Sequence, residues 1–296
     1  MKPAMAITET IAGLHLRSLR PSDVSAGERL SREVGWNQNT ADWTYILNHG
    51  LGWGYEDATG YLGATAMILP YGDRVAWICM VLVTDSWRKR GIATALLRHC
   101  IQQAEDRGWA PGLDATEAGR QVYLPLGFHD ILPLSRFMAE PVHDLEEPAK
   151  DMCRPMVDAD LAAAAQLDEV AAGVNRSELL ASLLNRTPNS CWVVEREGTI
   201  DGFCMGRDGT DADHIGPVIA SDGETAIALV RYALHARPEP SRRAYIDAAT
   251  GQDVFCDWLR EKGFHKQRGF SRMLKGRTTA LGAPETLFAI AGPELA

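Results

Sequence analysis

The chain of 296 residues is 46% hydrophobic and 23% charged, an ordinary globular balance that excludes intrinsic disorder and fibrous repeats. Its length predicts two domains, and a net charge of −9 with no basic arm in either half argues against a nucleic-acid partner. The six cysteines, Cys79, Cys100, Cys153, Cys191, Cys204 and Cys256, contain no Cys-x-x-Cys spacing, so neither a zinc ribbon nor a redox pair is expected and they read as reduced thiols. Residues 1–13 form too short and irregular an apolar run for a secretory signal, and no stretch reaches the roughly 18 apolar residues of a membrane span. The expectation is a cytoplasmic protein with no membrane partner.

An extended run over 14–20 is followed by helical patterns over 23–34 and 40–48. Three strand-like runs come next, over 53–56, 61–69 and 75–84, with turn residues at 57–60 and 71–73. Ala93, Leu96, Leu97, Cys100, Ile101 and Ala104 recur at three- and four-residue steps. That periodicity predicts a long helix over 91–107, and Gly108 stands where a glycine would end it. A strand over 109–115, a short helix over 117–124 and a strand over 128–138 complete the half. The acidic stretch between Pro141 and Pro148 predicts the boundary between a domain of residues 1–143 and one of residues 150–296.

The second half repeats the first. Phe128 precedes Ser135-Arg136 by the interval at which Phe264 precedes Ser271-Arg272; each Phe follows a glycine, and a methionine comes after each pair, at 138 and 273. Leu113-Asp114-Ala115 matches Ile246-Asp247-Ala248, and Leu96-Leu97-Arg98 matches Leu229-Val230-Arg231. The copies differ in one interval. Asp85 to Arg98 is 13 steps, whereas the matching Asp222 to Arg231 is 9, so the second copy lacks four residues between strand and helix.

In the first copy that place holds Arg88-Lys89-Arg90-Gly91-Ile92-Ala93-Thr94. A glycine turn that opens a helix presents free backbone N–H groups at the positive end of the helix dipole, a combination that binds phosphate. A basic surface turn that only caps a helix accounts for the loop alone equally well. Downstream, however, stands Tyr123-Leu124-Pro125-Leu126-Gly127-Phe128. With an Arg/Gln-x-x-Gly-x-Gly/Ala loop and then Tyr-x-x-x-Gly-Phe, in this order and between these elements, the chain resembles the GNAT superfamily of acetyl-CoA-dependent N-acyltransferases. The resemblance covers essentially the whole chain, because the second half repeats the topology. Gly35-Trp36-Asn37-Gln38, Asp42-Trp43 and the ending over 288–295 resemble more narrowly the YitH-type tandem acetyltransferases of bacteria.

The resemblance implies an α/β fold of two tandem lobes, each a mixed, mostly antiparallel sheet flanked by helices, with acetyl-CoA as co-substrate and no metal. It implies that Val81, Leu82 and Val83 offer main-chain groups to the pantetheine amides. Arg88, Lys89, Arg90, Gly91, Ile92, Ala93 and Thr94 would cradle the pyrophosphate, and Tyr123 would direct its phenol at the coenzyme sulfur. Trp36, Asn37 and Trp43 lie in the connection that lines the acceptor site in such folds; packing of one helix on another explains Trp36 and Trp43 as well.

The chemistry explains why these groups are wanted. An alkyl amine of pKa about 10.4 must lose its proton to attack a thioester, a cost of roughly 4 kcal/mol near neutral pH. The departing thiolate, pKa about 8.5, is a weaker base than tyrosinate at about 10, so full transfer from Tyr123 is uphill by about 2 kcal/mol. A hydrogen bond that matures into transfer therefore serves as well as a pre-formed donor. No base is assigned. Relatives place a glutamate eleven residues before the loop's first Arg, where this chain has Trp77, leaving His49 and Asp114 as candidates. Thr116, where relatives often hold an Asn, suits a helix cap. The position matching Tyr123 in the second copy is Leu259, so that copy reads as non-catalytic. The expected activity is transfer of acetyl to the primary amine of a small molecule. A protein amine as acceptor, a coenzyme A sensor without turnover, and an aminoacyl transferase using charged tRNA are the alternatives, the last disfavoured by the missing basic face.

Overall fold

The computed structural model describes residue 11, residues 13–140 and residues 152–296; the expected boundary at 141–148 lies outside them. The chain forms two compact units, Met1–Pro70 with Ala76–Trp109, and Tyr71–Val75 with Ala110–Ala296.

The first unit holds β1 (His15–Ser18), α1 (Val24–Glu33), α2 (Thr40–His49), β2 (Leu51–Glu56), β3 (Leu62–Tyr71), β4 (Val75–Val83) and α3 (Ile92–Glu105), apart from the joined ends of β3 and β4. Its strands lie in the order β1-β2-β3-β4. Asn39 starts α2 by accepting from the N–H groups of Ala41 and Asp42 at 3.0 and 3.2 Å, while Asp42 accepts from Asn39 N at 3.0 Å. This reciprocal box satisfies donors that a helix start otherwise leaves open. Trp43 of α2 is fully buried, and its indole N–H donates to Ser31 Oγ of α1 at 2.9 Å. A Cβ on Gly27 of α1 would lie 2.5 Å from that ring, so only glycine allows the two helices this approach. α3 buries Ile92, Leu96, Leu97, Cys100, Ile101 and Ala104, the expected stripe except that Ile92 replaces Ala93.

The second unit holds β5 (Ala110–Ala115), α4 (Glu117–Tyr123), β6 (Phe128–Ala139), β7 (Arg154–Pro155), α5 (Leu161–Ala172), α6 (Ser177–Arg186), β8 (Trp192–Arg196), β9 (Thr199–Arg207), β10 (Ala212–Ala220), α7 (Gly223–His235), β11 (Arg243–Ala249), α8 (Asp253–Glu261), β12 (His265–Lys275) and β13 (Leu287–Ala289). From β7 to β12 the order of elements is that of β1 to β6, as the repeat predicts. Its strands lie in the order β5-β12-β6-β11-β13-β10-β9-β8-β7. The terminal strands of the two copies are thus exchanged: β12 of the second copy pairs with β5 and β6 of the first, and β6 with β12 and β11. Hydrogen bonding of β5 and β6 into this sheet is why the compact units divide at Trp109.

The exchange is reciprocal down to its charges. Arg272 of β12 stands opposite Asp114 of β5 with two contacts of 3.0 Å, and Arg136 of β6 stands opposite Asp247 of β11 with two of 2.7 Å. These are the matched Asp and Arg of the repeat, each copy's arginine meeting the other copy's aspartate, and all four are buried. Leu134 faces its own counterpart, Phe270. A local two-fold axis relating β6 to β12 therefore passes through that pair.

Candidate active site

The end of β4 presents alternating side chains, Leu82 buried and Val81 and Val83 half-buried. Immediately before them Met80 has φ of +51°, a left-handed backbone rare for a residue with a side chain, and Thr65 Oγ1 donates to its carbonyl at 2.9 Å. Nothing in a methionine announces such a kink, and the sequence reading missed it. The second copy has a matching break: Gly216 has φ of +152°, and the β10–β9 register shifts between Ile215 and Val218.

Past β4 the chain is pinned to α1. Glu33 accepts from Asp85 N at 2.6 Å and Thr84 Oγ1 at 2.8 Å. The bond from the Asp85 N–H, above all, holds the Glu33 carboxyl below its usual range. Arg88 bonds Asp85 at 2.5 Å and the Val83 carbonyl at 3.1 Å, and Arg90 donates to the Ser86 carbonyl at 2.7 Å. Val83's carbonyl is therefore engaged by the loop itself. Lys89 and Gly91 take φ of +62° and +81°, and a Cβ on Gly91 would have nothing within 4 Å. α3 then begins at Ile92, whose side chain is anchored in the core, with no side chain capping the helix. The predicted loop residues Arg88 to Thr94 are thus gathered as three exposed cations around an open helix start. In the second copy residues 221–222 alone join β10 to α7, and Asp222 accepts from Thr225 N at 2.7 Å. An anion already covers that helix start, and the Thr225 N–H holds its carboxyl below the usual range.

Of the residues expected to line an acceptor site, Trp36 is half-buried and Asn37 buried in the connection between α1 and α2. Trp43 needs correcting: its ring is consumed in α1–α2 packing and its N–H by Ser31, so it has no surface for a ligand. The candidate bases are engaged as well. His49 Nδ1 lies 2.8 Å from the Tyr45 carbonyl with its ring stacked on that of Tyr45, and Asp114 is neutralised by Arg272.

In the second unit Thr116 caps α4, its hydroxyl accepting from Gly119 N at 3.2 Å. Arg120 of α4 makes a bidentate pair with Asp130 of β6 at 2.9 and 2.6 Å, and Ser271 Oγ of β12 also donates to Asp130. Arg120 foremost holds the Asp130 carboxyl below its usual range. Tyr123 closes α4, its ring 6.0 Å from that of Phe128. Burial raises its phenol above the ordinary tyrosine value, so it stays protonated throughout the neutral range. Leu259, at the matching place, is wholly inside the core of α7, α8 and their strands.

A kinked strand running into an open, cationic helix start, in a chain built twice from one order of elements, is the arrangement of an acyltransferase fold. Residues 18–128 match the model of the acetyltransferase (GNAT) family, and residues 164–289 match an acetyltransferase (GNAT) domain model. The chain belongs to the GNAT acetyltransferases and carries two such domains in tandem; it is an acyltransferase. Solved structures share the fold. A putative acetyltransferase from Pyrococcus horikoshii is 15% identical with a TM-score of 0.79, the match covering 97% of this chain and 98% of that one. A GCN5-related N-acetyltransferase from Sphaerobacter thermophilus is 17% identical, TM-score 0.63, with 89% and 96% covered. A tandem GNAT protein from the clavulanic acid biosynthesis pathway is 15% identical, TM-score 0.64, with 88% and 98% covered. No curated protein sequence matches the chain. Among the described residues no helix is long and apolar enough to cross a membrane.

Proposed function

We propose that the chain transfers the acetyl group of acetyl-CoA to the primary amine of a small molecule by direct attack on the thioester, using the first copy only. The observation that carries this reading is the contrast between two helix starts. α3 opens on Gly91 with no capping side chain and three cations beside it, whereas α7 opens on a carboxylate. Arg88 to Thr94 fit a pyrophosphate, through main-chain N–H groups and charge, and the main chain of Val81 to Val83, apart from the Val83 carbonyl that Arg88 engages, is assigned by the motif to the pantetheine arm. Bound there, acetyl-CoA supplies the activated acyl group. Tyr123, protonated at neutral pH and more so for its burial, is assigned by its place in the motif to donate toward the leaving sulfur. In this reading residues 1–143 are the catalytic domain and residues 150–296 lend it β12. Six cysteines, none in a disulfide, suit a reducing cytoplasm.

Titration calorimetry with acetyl-CoA tests the reading: one site per chain is expected, and two equivalent sites would overturn it. Release of free thiol from acetyl-CoA across an amine panel then tests turnover.

A further inference from the structure

The exchanged strands of the second unit border a cavity of about 650 Å³, inside the roughly 300–1,000 Å³ range of small-molecule sites. Its walls come from both copies: Glu117 and Arg120 of α4, Asp130 and Leu134 of β6, Thr250 after β11, and Lys266 and Phe270 of β12. Leu134 and Phe270 are the counterparts through which the local two-fold axis passes. Counted from the matched Phe128 and Phe264, Asp130 is the counterpart of Lys266; counted from Asp114 and Asp247, Glu117 is the counterpart of Thr250. The cavity therefore lies across the axis with equivalent positions on either side.

These paired positions follow the repeat, and their charge does not. On one side stand two carboxylates, of which Asp130 is matched by Arg120, leaving the charge of Glu117 in surplus. On the other stands the ammonium of Lys266, which has no salt bridge among the described residues, beside the neutral Thr250. Between them the lining is aliphatic and aromatic, from Ile131 to Leu134 and Phe270. Opposite charges across an apolar middle complement a molecule that carries both charges itself.

We propose that this cavity holds the acceptor, and that the acceptor is amino-acid-like: a small molecule bearing a primary amine and a carboxylate on an apolar body. The ammonium lies toward Glu117 and the carboxylate toward Lys266. The assignment rests on the acetyltransferase reading above.

The test is thiol release from acetyl-CoA with matched amines whose two charges lie at opposite ends of an apolar chain: 6-aminohexanoate against pentylamine and 5-aminopentanoate against butylamine, each amine the decarboxylated form of its partner. At least one amino acid should exceed its decarboxylated partner at least tenfold in kcat/KM. Lys266→Ala should bring that ratio near one, while Lys262→Ala, outside the cavity, keeps it. Lys266→Glu should favour 1,5-diaminopentane over 6-aminohexanoate. Decarboxylated amines performing as well in every pair, or a ratio that survives Lys266→Ala, overturns the proposal and leaves the acetyltransferase reading intact. If no amine releases thiol, it is the acetyltransferase reading that fails. Calorimetric binding of the same pairs to the wild type and Lys266→Ala, judged by the same ratios, then decides the cavity.

Discussion

Tyr123 shows what a single residue can and cannot disclose. Its spacing from Gly127-Phe128 was readable in the sequence, but the further rise of its pKa comes from burial that only the folded chain supplies. Replacing it with Phe keeps the ring against Phe128 and removes only the O–H. General-acid assistance is typically worth about 10² to 10⁴-fold, and a hydrogen bond to the leaving sulfur rather less. Tyr123→Phe should therefore lose more than about tenfold in kcat, a transition-state cost above roughly 1.4 kcal/mol, with the coenzyme Kd within about threefold. Because burial raises the phenol's pKa, the wild type should show no loss of kcat from Tyr123 until pH exceeds the ordinary tyrosine range near about 10. Steady-state kinetics on a true acceptor decide it, and wild-type turnover in the Phe variant would remove the catalytic assignment. Asp114 and Trp43 teach the opposite lesson. A lone carboxylate reads as a possible base because nothing nearby in sequence reveals Arg272, 158 residues away. A tryptophan after a helix start looks the same whether it meets a ligand or Gly27.

At the scale of elements, hydrophobic spacing and turn residues placed every helix and strand of the first copy within a few residues, for example 91–107 against Ile92–Glu105 for α3. Those signals are local, and so they were legible. The kink at Met80 was not, because it depends on the Thr65 hydroxyl from a neighbouring strand. Gly91 sits where legible and structural arguments meet. A side chain there carries the strain of φ near +81°, and glutamate adds an anion beside the open N–H groups of α3. Gly108, at the other end of α3, has φ of +77° and equally open space, so it is the matched control for strain alone. Gly91→Glu and Gly108→Glu should each cost about 1 kcal/mol of stability, a few degrees in Tm. Only Gly91→Glu should also weaken acetyl-CoA binding, by at least tenfold or about 1.4 kcal/mol. Equal coenzyme affinities in the two variants, measured by calorimetry, would return the loop to a mere helix cap.

At the scale of the whole molecule, the duplication was legible by counting, but the exchange of β6 and β12 was not, because matched strands carry the same pattern whichever sheet they join. The exchange makes each copy depend on the other. A fragment of residues 1–140 lacks β12, leaving β5 and β6 without the strand between them and Asp114 without its arginine. A fragment of residues 152–296 lacks β6, and Asp247 loses Arg136. Each fragment would then hold a buried carboxylate without its bidentate arginine, and unpaired strand edges open to aggregation. Removing one partner of such a pair within the intact chain costs about 3–5 kcal/mol, whereas replacing both with apolar groups is often neutral. Arg136→Met should accordingly lower the urea midpoint sharply, and Arg136→Met with Asp247→Leu should recover most of the loss. Neither fragment alone should unfold cooperatively, while the two refolded together should form a one-to-one complex with a single urea transition. A cooperative transition from residues 1–140 alone would mean that the first copy can close its own sheet, and that the exchanged strand is dispensable to it.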